Sequence, residues 1–144
     1  MLPIALHKKH IVNFLNKFNT TYGENVEYIY GGVTKDPLNI RRNGHIDARP
    51  PSPLLCTRDW KISEKPITTI TIRDMSKLDE YYNLIAQVEQ YLIDCLGQCY
   101  PDARFVNDIR EDGRIAQMGG AGVDIKKMKL GDEFKMYIFY KLDT

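Results

Sequence analysis

The sequence predicts an α+β fold, with a mainly antiparallel β-sheet and two helices packed on it, in a single domain spanning residues 1–144. Three observations predict it. Two stretches carry apolar residues at helical spacing, several shorter stretches are β-branched and aromatic, and the strand-like stretches come in groups instead of alternating one by one with helices.

Pro3 suits a first helical position, and Ile4, Ile11, Leu15 and Phe18 then form one apolar stripe, which predicts a helix over about residues 4–18. Val26–Tyr30 reads as a strand closed by Gly31-Gly32. From Val33 to Pro53 the composition turns to Lys, Asp, Asn, Arg, Gly and proline, ending in Arg-Pro-Pro-Ser-Pro at 49–53, and predicts a long Pro-rich loop. Leu54–Ile62 and Ile67–Ile72 read as two strands, the second with Ile70 and Ile72 on one side and Thr69 and Thr71 on the other.

Ser76 followed by Asp79 resembles a capping box opening the longest helix, whose broad apolar face holds Leu78, Tyr81, Tyr82, Ile85, Val88, Leu92, Cys95 and Leu96. Gly97 and Pro101 are expected to stop it. The rest reads as strands: Arg104–Ile109 and Arg114–Met118 around Asp112-Gly113, then Val123–Leu130 and Glu133–Leu142 around a hairpin turn at Gly131-Asp132. In the last strand Phe134, Met136, Ile138, Tyr140 and Leu142 share a face.

Composition narrows the function. Twenty basic against nineteen acidic residues give a net charge of +1, which supplies no global field toward nucleic acid or an anionic membrane. No apolar run approaches the roughly 20 residues of a membrane span. The basic residues of MLPIALHKKH follow its apolar stretch, the reverse of a signal peptide, so a cytoplasmic chain is expected. Cys56, Cys95 and Cys99 are odd in number and irregularly spaced, which predicts buried free thiols instead of a disulfide framework.

No set of residues reads as catalytic, so no enzyme, cofactor or metal is expected. His7 and His10 lie three apart on the first helix, but two ligands flanked by lysines read as an exposed polar face. Cys95 and Cys99 lack the spacing of a zinc or redox motif. His45 and Asp47 sit among Arg41, Arg42 and Arg49 in the long loop, with no nucleophile nearby. Gly119–Gly122 has no Lys-Ser or Lys-Thr after it, and the aromatic-basic alternation of 135–141 fits an amphipathic strand as well as a base-stacking surface. Arg41, Arg42 and Arg49 are the candidate partner-binding residues, because guanidinium groups pair bidentately with carboxylates across an interface.

The order helix, strand, irregular segment, central strands, helix, closing strands resembles that of the tail terminator and tail-completion proteins of long-tailed bacteriophages. HIVNFLNKF (10–18), KPITTITIRD (65–74), KLDEYYNLIAQVEQYLIDCL (77–96) and EFKMYIFYKL (133–142) carry the likeness. The segment 33–53 departs from the pattern in length and proline content, and no residue role is transferred. The resemblance implies a structural virion protein without chemistry: a homo-oligomeric ring, commonly a hexamer, that caps the tail tube, ends tail growth and meets the head–tail connector. It further implies assembly in the host cytoplasm and a final place in the virion tail. Two alternatives from other classes fit the same composition, namely a small inhibitor of a host protein and a nucleic-acid-binding α+β domain.

Overall fold

A computed structural model describes residues 3–46, 60–100 and 125–143. Its elements run α1 (Ala5–Tyr22), β1 (Val26–Thr34), α2 (Leu38–Ile46), β2 (Lys61–Ile62), β3 (Thr68–Thr71), α3 (Leu78–Cys99) and β4 (Glu133–Leu142). The sheet is antiparallel and the fold is α+β. β4 is its central strand, paired along its length with β1 on one side and with β2 then β3 on the other.

Both faces of β4 are buried. Phe134, Met136 and Ile138 enter the main core, with Tyr140 and Leu142 packed at its margin, as the alternation predicts. Tyr137 and Phe139 point the other way, into a second cluster with Trp60, Tyr28, Tyr30, Leu38 and Ile62. α1 and α3 cover the first face through Ile11, Leu15 and Phe18 and through Ile85, Val88, Leu92 and Leu96. In β1 the register shifts between Val26 and Tyr28, so Glu27 is an extra residue. That bulge inverts the alternation and lets Val26 and Ile29 both reach the main core.

Several expectations are corrected. Gly31-Gly32 does not close β1, which continues to Thr34. A Cβ on Gly31 would lie 2.7 Å from Leu96 Cδ1, and one on Gly32 would lie 2.7 Å from the Tyr137 hydroxyl. The pair is glycine because α3 and the Tyr137 ring press on the strand from opposite sides, not because the chain turns.

The predicted loop 33–53 holds β1 to Thr34 and then α2, while residues 47–53 lie outside the described part. Asn39, Asn43 and Gly44 are weak helix formers, so tertiary anchoring has to hold α2 in place. Leu38 packs on the second cluster, and two arginines tie the helix to the sheet. α2 therefore lies on the sheet face opposite α1 and α3, making a third helix where two were predicted.

Of the predicted strand Leu54–Ile62 only Lys61–Ile62 is described as strand, and residues 54–59 lie outside the described part. α1 runs one turn beyond the predicted Phe18, with Thr20 and Thr21 hydroxyls donating to the carbonyls of Asn16 and Lys17. Asp74, not Ser76, is the capping side chain: its carboxylate accepts from the backbone N–H and the hydroxyl of Ser76 and closes a 3₁₀ turn, Met75–Lys77, that leads into α3. α3 passes through Gly97 and ends at Cys99.

The expected strand Val123–Leu130 is not formed over its described residues. Ile125–Lys127 is a 3₁₀ turn, and Met128 alone of 126–130 is buried, so there is no period-two face to pair. Gly131 takes a φ of +90° as third residue of a turn closed by the Asp132 N–H to the Lys129 carbonyl. The turn splices onto β3, through the Gly131 N–H to the Ile72 carbonyl and the Ile72 N–H to the Asp132 carbonyl. The expected strands 104–109 and 114–118 and the glycine run 119–122 lie outside the described residues.

Candidate functional site

Between β2 and β3 the chain leaves the sheet edge and returns. The Ser63 N–H donates to the Ile138 carbonyl, the Ser63 hydroxyl accepts the Ile138 N–H, and the Ile67 N–H next reaches the Met136 carbonyl. Glu64, Lys65 and Pro66 are thereby pushed outward, where proline's missing amide leaves no ladder bond unmade.

This outward step faces the C-terminal half of α1 across an open groove of about 570 Å³. Phe14, Phe18 and Tyr22 recur every fourth residue along one side of the helix, and Tyr140 of β4 forms the floor. Phe14 and Phe18 stack at 6.0 Å. The Phe18 ring meets Tyr140 edge to face at 4.9 Å, and Tyr22 lies 6.4 Å from Tyr140. Such arrays hold rigid apolar faces with polar tips at the rim. Lys17, Thr21, Ser63, Glu64, Lys65 and Pro66 also line it, so Glu64 is the sole carboxylate among the described residues of the groove. Burial, then Tyr22 and Glu64, push the Tyr140 phenol up, and it stays a neutral hydroxyl at ordinary pH.

The candidate partner-binding arginines are placed differently from each other. Arg41 Nε donates to the Tyr137 hydroxyl at 3.0 Å, and Arg42 Nε donates to the Trp60 carbonyl at 3.0 Å. Both are half-buried and hold α2 against the second cluster. Arg49 lies outside the described residues. Burial alone would lower the Arg41 guanidinium, but Tyr137, Tyr30 and Asp36 outweigh it and hold it above its ordinary value. Burial pushes the Tyr137 and Tyr30 phenols up.

His7 and His10 do share a helix face, with His7 half-buried and His10 exposed. Their Nδ1 atoms lie 2.7 Å and 3.1 Å from one hydroxyl, that of buried Thr68. A hydroxyl has one proton, so the two imidazoles cannot both accept from it and at least one donates its own Nδ1–H. Burial, then His10, lower the His7 pKa. Among the described residues no three His, Cys, Asp or Glu side chains gather where a metal would be held. Cys95 is half-buried and Cys99 exposed, where its sulfur receives a hydrogen bond from Asn19 Nδ2. Tyr137 and Phe139, part of the alternation at 135–141, are fully buried and offer no ring face to a base.

The sequence reading missed the groove. Its signals are the four-residue spacing of Phe14, Phe18 and Tyr22 and the Glu64-Lys65-Pro66 interruption ahead of a strand. No helix of the described residues is long and apolar enough to cross a membrane. No protein-family profile, curated protein or solved structure matches the chain.

Proposed function

We propose that the chain is a structural subunit of a phage tail end, a tail-terminator-like protein. It caps the tail tube as a ring of identical copies, six in number, ends tail growth and joins the tail to the head–tail connector. The observation that supports the reading is the element order on one sheet: first helix, long strand, a short helix, two short edge strands, the long helix and a closing strand that forms the centre of the sheet. The aromatic groove adds a surface suited to a protein contact.

Its partners are then copies of itself, the tail tube protein and the connector, and its place is the virion tail. The test is to add the purified protein to uncapped tails and image them by negative-stain electron microscopy. Ring density at one tail end and a block to further tube growth are expected. Tails that bind no protein at their ends overturn the reading.

A further inference from the structure

Resting on that reading, we infer that the α1–β4 groove receives the Arg49–Pro53 segment of a neighbouring copy of the chain. The groove's chemistry selects this occupant. Its walls are ring faces, Phe14, Phe18, Tyr22 and Tyr140, with the Tyr22 and Tyr140 hydroxyls at the rim. Aromatic-lined grooves of this kind take proline-rich strands, because fixed φ angles reduce the ordering cost and proline-flanked carbonyls accept from rim hydroxyls. The sequence holds one such stretch, Arg49-Pro50-Pro51-Ser52-Pro53, with three of the seven prolines of the chain.

Charge gives the direction. Arg49 leads the prolines, and among the described lining residues Glu64 is the one carboxylate, set between Lys17 and Lys65, so the pairing has to be made with Glu64 itself. The topology favours a neighbour's groove over the chain's own. Residues 47–59 leave from the end of α2 and rejoin at Trp60, both on the sheet face opposite α1. A segment of one copy seated in a different surface of the next is a head-to-tail contact, the kind that closes into rings.

The experiment is light scattering and sedimentation equilibrium on the full chain, with melting curves to show that each variant is folded. The wild type is expected to self-associate. Arg49→Glu and Glu64→Arg should each weaken association by about tenfold, and the two together should restore it. Pro50→Ala with Pro51→Ala, and separately Tyr22→Ala, should weaken it as well. A synthetic peptide of residues 47–55 should compete with assembly.

A wild type that stays monomeric overturns the inference. So does a charge swap without rescue, or assembly indifferent to the proline substitutions. Tail-end binding by such a chain would leave the proposed function standing. Rescue by the charge swap without any tail-end binding would sustain the groove contact and remove the tail assignment.

Discussion

Gly32→Ala would put a methyl carbon 2.7 Å from the Tyr137 hydroxyl, 2.8 Å from Cζ and 3.1 Å from Cε1 of the same ring. Gly32 does not have a positive φ, so alanine suits its backbone and the penalty comes from contact alone. Tyr137 cannot yield easily, since it is fully buried and its hydroxyl accepts from Arg41. Overpacking of this kind costs about 1–3 kcal/mol. Alanine also restricts the unfolded chain, which returns roughly 0.4–1 kcal/mol. At the midpoints of those ranges the net loss is about 1.3 kcal/mol, and at about 3–4 °C per kcal/mol for a chain of this size the melting temperature falls by roughly 4–5 °C. Urea unfolding with an unchanged slope would measure the loss directly. In a Tyr137→Phe background the nearest clashing atom is gone, so the penalty of Gly32→Ala should shrink. Equal stability of Gly32→Ala and wild type would refute the close approach.

The same substitution changes sign elsewhere. Gly23 is helical, with Asn19 Cβ at an ordinary 3.7 Å, so Gly23→Ala should stabilise by about 0.4–1 kcal/mol in the same urea assay. Tyr137→Phe removes the acceptor of a half-buried guanidinium and should cost about 1–3 kcal/mol. The lowered His7 pKa means that the unfolded state takes up a proton first, so stability should be full above about pH 6.5 and fall as the pH drops through the folded value. Lys8, Lys9 and His10 share its helix, which has no acidic residue to offset the charge, and a His7→Gln variant should flatten the melting-temperature profile between about pH 5 and 7. Iodoacetamide mass mapping should find Cys99 alkylated before Cys95, whose thiol is half-buried and pushed up by burial.

How far the sequence predicts this structure depends on where each element finds its partners. β4 matches its expected bounds, because Phe134, Met136 and Ile138 alternate cleanly with the opposite face. α3 was equally plain, since a broad apolar face over many residues is a local property. α2 was not legible: its residues argue for a loop, and the groups that hold it, the Tyr137 hydroxyl and the Trp60 carbonyl, lie far along the chain. Gly31-Gly32 carries the same ambiguity, because a glycine that ends a strand and a glycine squeezed between two packed layers look alike without the layers. The groove lies between those extremes. The spacing of Phe14, Phe18 and Tyr22 was readable, but its opposite wall comes from a break in the sheet edge that only pairing with β4 makes visible.

The place of β4 bears on how the chain is made. In the described sheet β1, β2 and β3 never pair with one another; each is hydrogen-bonded only to β4, whose Leu142 stands opposite Val26. On the ribosome the first three strands therefore emerge without a template, and helices α1 and α3 can form and meet before any ladder closes. Such long-range closure is slow, since the loop entropy is spent before the pairing returns it. Nascent chains stalled short of residue 133 should thus be helical and lack the ladders described here, which should appear together once β4 clears the exit tunnel.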